Sequence, residues 1–165
     1  MEKDGGVVII RKKVPGISEG VLNRFAARAV AATRIPGKVN VLITDNRELR
    51  SLNRRFRHKN APTDVLSFPS GPGVVNHVAG DIAISAEIAT ANARKLGHSA
   101  AAEIKILTLH GMLHLAGYDH ERDRGAMARK EAQLRRAFHL PVGLIERHGL
   151  APQLRIRKPK RSRRT

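Results

Sequence analysis

The chain of 165 residues has no cysteine. That excludes disulfides and thiolate metal ligands, and it suits a reducing compartment. Aromatic residues are scarce: four Phe, one Tyr and no Trp. A base-stacking platform of the single-strand-binding kind needs more of them. No long apolar run is present either. The longest uncharged apolar stretch, residues 106–116, falls well below the roughly 20 residues that a membrane helix requires. The polar start MEKDGG and the short apolar run at 7–10 do not make an export signal, so a cytoplasmic protein without a membrane partner is expected. Acidic residues are the last shortage, 14 against 31 Lys and Arg, for a formal net charge of +17. Nucleic acid is the commonest partner for such a balance, because neutralising phosphates releases counterions. With few aromatics to stack on bases, contact should be mainly to phosphates.

Length and charge distribution predict one folded domain over 1–148 and a basic, unfolded tail over 149–165. Seven of the residues in 155–165 are basic and none is acidic. Within the domain, 5–12 reads as a first strand, followed by a helix from the Ser18 cap to about Arg34 with Val21, Leu22, Phe25, Ala29 and Val30 inward. Residues 39–44 form a second strand. Asp45 and Glu48 then make a capping box for a helix with Leu49, Leu52 and Phe56 inward and a strongly basic outer face. Strands at 65–68 and 78–85 are joined by a Pro/Gly loop as hairpin partners, which predicts a mixed sheet. Three further helices are expected at 86–96, 100–116 and about 122–139. The fold class is therefore α/β (α+β), a mixed sheet of about four strands packed with about five helices.

The stretch SAAAEIKILTLHGMLHLAGYDH carries the chemistry. His110 and His114 lie one turn apart on one helix face, and Gly117 lets the chain reverse so that His120 swings back toward them. A lone histidine on so apolar a helix would be a hydrogen-bonded core residue. Three at this spacing follow metal-ligand geometry, and a zinc ion with three protein ligands keeps a fourth position open for water or substrate. The pattern H-x-x-x-H-x-x-G-x-x-H matches the long zinc-protease signature in every ligand, but Gly111 stands where the proteases carry their glutamate base. Three neutral histidines also leave the ion's +2 charge uncompensated, which favours an anionic substrate. Asp81 is open between a structural role and orienting a ligand histidine, and Asp119 has the same second option. His77, His98, His139 and His148 belong to no constellation and are expected on the surface.

HGMLHLAGYDH, the segment N-x-x-F-R-x-K-x-x-P-T-D-V-L-S-F-P from Asn53, and GDIAIS at 80–85 together resemble the YbeY family of bacterial rRNA maturation factors. The resemblance covers about residues 5–140. It implies a zinc-dependent, single-strand-specific endoribonuclease acting in 16S rRNA 3′-end maturation and ribosome quality control, with single-stranded RNA, 16S rRNA and the small ribosomal subunit as partners. It places one Zn2+ per chain on His110, His114 and His120, and a functionally important arginine at Arg57. A guanidinium there can bind a phosphate bidentately; Lys59 and Arg55 fit general phosphate attraction. Two alternatives stand beside this reading: a zinc peptidase lacking the usual base, and a non-catalytic rRNA-binding assembly factor. The basic tail lies beyond the family's pattern.

Overall fold

The computed structural model describes residues 6–71, 77–142, 144, 145 and 147. In chain order the elements are β1 (Val8–Ile10), α1 (Glu19–Thr33), β2 (Lys38–Thr44), α2 (Asn46–Arg57), β3 (Val65–Pro69), β4 (Val78–Ser85), α3 (Ala86–Leu96), α4 (Ala100–Leu115) and α5 (Ala126–Ala137). The strands form one mixed sheet in the order β1-β2-β4-β3. β1, β2 and β4 run parallel, and β3 pairs antiparallel with β4, as the hairpin reading requires. The tail at 149–165 and His148 lie outside the described residues.

Helix starts follow the side chains that can accept an orphan amide. Ser18 Oγ accepts from the Val21 N–H, Asp45 Oδ1 from Glu48, Ser85 Oγ from Ile88 and Ser99 Oγ from Ala102. The expected capping box at Asp45 is only half made. Instead of reaching back, the Glu48 carboxylate accepts from Thr44 Oγ1 and Arg11 Nη1, both at 2.6 Å, because the ends of β2 and β1 offer it stronger donors. β1 is shorter than expected: past Ile10 the Lys12 N–H shares the Ile43 carbonyl with that of Arg11 instead of advancing along β2, and at the start the Val7 N–H is taken by the Asn40 side chain.

The last helix begins at Ala126 rather than about Arg122. The Asp119 carbonyl gathers the N–H groups of Arg122 and Asp123 into a turn. Asp123 then caps α5, accepting from the Met127 and Gly125 N–H groups. Those bonds, Met127's first, hold its carboxyl below the usual carboxylate range.

The two sheet faces are unequal. Strand alternation sends Val39, Val41, Ile43, Ile82 and Ile84 into the main core with Leu22 and Phe25 of α1 and Ile104, Leu107, Met112 and Leu113 of α4. α4 is buried almost all round from Glu103 to Leu113, as expected of so apolar a helix. Burying one such Leu or Ile contributes about 1.5–3 kcal/mol. On the opposite face, among the described residues, only α2 packs, through a small cluster of Leu49, Leu66 and Ala83. Phe56, expected inward, is therefore 57% exposed. α2 does not reach over β1, and the Phe56 ring rests on Phe68 at the side of an open groove.

Candidate metal centre

α4 carries His110 and His114 in its last two turns. Gly117, at φ 98°, takes the left-handed conformation that an L side chain rarely adopts, and the Tyr118 N–H closes onto the Leu113 carbonyl at 3.0 Å. The reversal places His120 with its ring centroid 5.5 Å from His110 and 5.3 Å from His114. One nitrogen from each imidazole lies within 4.8 Å of the others. Burial grades across the set: His110 is buried, His114 half-buried and His120 exposed. The cluster is closed on the core side and open on the solvent side.

The outer nitrogens fix which face each ring presents. His114 Nδ1 lies 3.1 Å from the Tyr118 carbonyl, which can only accept, so Nδ1 carries the proton. His110 Nδ1 donates to Glu131 Oε2 at 2.7 Å. Both Nε2 atoms are left with lone pairs directed at each other, 3.2 Å apart. Two nitrogens at 2.0–2.1 Å from a shared tetrahedral ion would lie about 3.3 Å apart, so the donor set fits zinc in number, type and spacing. Burial, then the neighbouring His110 and His120, hold the His114 pKa below the ordinary imidazole value. At neutral pH the ring is in the uncharged form a metal needs.

Glu131 is the member of the site that sequence reasoning misses. It projects from α5, is 1% exposed, and its second oxygen accepts the Ile145 N–H at 2.9 Å. The apolar stripe of α5 runs Met127, Leu134, and Glu131 falls between them at helical spacing. A carboxylate on a core-facing stripe is a sequence signal for a buried acceptor. It also corrects the expectation of an uncompensated ion, because one negative charge sits a single hydrogen bond from the ligands, and a dication there would be partly compensated.

Gly111 has a steric reason as well. A Cβ at 111 would lie 3.0 Å from both Ile82 Cδ1 and Ser67 Oγ, and Ser67 Oγ donates to the Gly111 carbonyl. The position faces β3 and β4, with no room for a glutamate. The peptidase alternative loses its base on geometry as well as on identity.

Among the described residues none of the remaining candidates hydrogen-bonds to the three histidines, although Asp119 is close enough to act upward on the His114 pKa, against the other influences. Arg57 is exposed at the end of α2, and no hydrogen bond or ion pair joins it to the histidines among the described residues. Arg55 and Lys59 are exposed too, Arg55 lying 6.0 Å over the Phe56 ring. Asp81 accepts from Asn40 Nδ2 on the α2 side of the sheet and orients no histidine. Asp119 accepts the Glu121 N–H and faces Arg122 at 3.5 Å, again not a ring. His77 and His139 are exposed as expected. His98 is not a free surface residue: its Nε2 lies 2.6 Å from Glu103 Oε2. Glu103 is fully buried and also takes a bidentate pair from Arg147 at 2.7 and 3.1 Å.

A family model described as endoribonuclease YbeY matches residues 6–139. An endoribonuclease YbeY of Koribacter versatilis is 53% identical over 86% of this chain and 91% of its own length. One of Solibacter usitatus is 48% identical over 87% and 95%. A solution structure from Thermotoga maritima shares the fold at TM-score 0.55 and 24% identity, covering 95% of this chain and 99% of that one.

Proposed function

The chain belongs to the endoribonuclease YbeY family, and from that premise we propose that it is a zinc-dependent, single-strand-specific endoribonuclease. Its substrate on this reading is the 3′ region of 16S rRNA, and its setting is small-subunit maturation and quality control in the cytoplasm. The observation that carries the proposal is the oriented trio: His110, His114 and His120 converge, and the Nδ1 atoms of the first two are tied outward so that Nε2 faces inward.

Bound there, zinc supplies Lewis acidity toward a phosphoryl oxygen and acidifies water to a pKa near 7. The chain's own residues do the rest. Glu131 holds the His110 ring and offsets part of the local positive charge. Burial keeps His114 neutral. The open side at His120 admits an extended strand, and the basic surface draws its phosphates. Arg57 is assigned to hold one phosphate through its guanidinium fork.

The test is incubation of zinc-loaded protein with single-stranded and duplex RNA beside a His114→Ala control. Cleavage of the single strand by the parent alone is expected. Equal cleavage by the control would sink the metal assignment, and intact RNA throughout would favour a binding role in ribosome assembly.

A further inference from the structure

α2 carries five arginines against one acidic residue, Glu48. Arg47, Arg50 and Arg54 stand at i, i+3 and i+7 on its outer face, where like charges repel by a few tenths of a kcal/mol per pair. Arg47 sits in the first turn, against the positive end of the helix dipole. Among the described residues none of the three has a carboxylate partner.

The loop after the helix shapes them into a site. Buried Asn53 donates through Nδ2 to the Ala61 carbonyl at 2.8 Å, and its own carbonyl accepts the N–H groups of His58 and Lys59. The loop is thereby folded back along α2. Asn60 comes to rest beside Arg50, whose Nε donates to Asn60 Oδ1 at 2.8 Å. That bond uses the inner edge of the guanidinium and leaves its two Nη groups for an outside acceptor. The result is a hollow of about 280 Å³ lined by Arg47, Arg50, Ser51, Arg54 and Asn60. It contains hydrogen-bond donors and no acidic group. Seven residues of helix span about 10 Å, so the guanidiniums can engage successive phosphates rather than a single anion.

We propose that this arginine hollow is a docking site for the sugar–phosphate backbone of the RNA substrate, on the sheet face opposite α4 and separate from the histidine centre. It rests on the RNA-cutting reading above and adds where a long strand is held. Phosphates position and do not specify, so the hollow lends affinity without sequence choice.

The test is a salt titration of binding to labelled single-stranded polyuridylate on a His114→Ala background, which prevents cutting. Arg47, Arg50 and Arg54 are changed together to Gln in one variant. In a charge-matched control Lys12, Lys13 and Arg24, all exposed, are changed instead. Leaving two or three phosphates without a cation should lower the slope of log K against log salt by roughly 1.4–2.1 and weaken low-salt binding by on the order of 10–100-fold. The control should keep a slope close to that of its parent. Parallel slopes for all three proteins, or equal falls in both variants, overturn the proposal. Should the background itself fail to melt cooperatively, single-turnover cleavage by the zinc-loaded parent gives the same half-saturation constants. Because binding is read directly, an inactive parent would refute the nuclease reading while the slopes still decide this one.

Discussion

His110 is held between two demands, a ligand face turned to its partner imidazoles and a proton given to Glu131. Loss of an outer hydrogen bond of this kind costs 10–100-fold in metal affinity. Glu131→Gln, which keeps an acceptor but removes the charge, should weaken zinc by about that factor in a chelator competition while far-ultraviolet circular dichroism stays unchanged. Equal affinity would make Glu131 a purely structural residue. His110→Ala removes a ligand itself and should lower zinc content by elemental analysis more severely.

The depressed His114 pKa sets a pH dependence for the metal-free protein. The unfolded ring takes up its proton below about 6.5, before the folded ring does, so this contribution to stability is complete above that pH. It is lost as the pH falls through the lower folded value. The melting temperature of chelator-treated protein should drop between pH 7.5 and 5.5, and His114→Ala should flatten part of that drop. At Arg57, replacement by Lys keeps charge and loses the fork, so RNA turnover should fall with zinc content and melting temperature unchanged.

At the scale of elements, Gly111 is where α4 meets β3 and β4. Gly111→Ala gains about 1 kcal/mol of helix propensity but pushes a methyl against Ile82 and Ser67, an overpacking that costs about 1–3 kcal/mol. The crowding should win, lowering the melting temperature by a few degrees in calorimetry, since Ile82 is itself fully buried. An unchanged or raised value would mean that the sheet yields.

Local chemistry makes most elements readable from sequence. Ser18, Asp45, Ser85 and Ser99 announce helix starts through an acceptor near the chain, and Gly117 announces a reversal. What sequence does not supply depends on contacts between distant elements. The pairing of Glu131 with His110 crosses from α5 to α4. The burial of His98 depends on Glu103 and Arg147, and the exposure of Phe56 depends on how far α2 extends across the sheet. The start of α5 falls later than its pattern suggests because the Asp119 turn and the Asp123 cap compete with helical pairing at 122–125.

For the molecule as a whole, charge is spread well beyond the catalytic candidates. Truncation after Leu154 removes seven basic residues and should make the salt slope of RNA binding shallower, by about 0.7 for each phosphate that the tail neutralises. Zinc content, melting temperature and cleavage of a short oligonucleotide at saturation should persist. A large fall in melting temperature would place the tail in the fold.

The bond from the Ile145 N–H to Glu131 also orders events in time. A nascent chain leaves the ribosome amino end first, at about 5–20 residues per second, so the three histidines emerge before Glu131, and Glu131 before Ile145. For a few seconds each newborn copy carries imidazoles without the carboxylate that orients them, and then that carboxylate without the amide that pins it. A half-made copy, still tethered through its tRNA to a messenger, thus lacks the finished centre of a family named for cutting RNA.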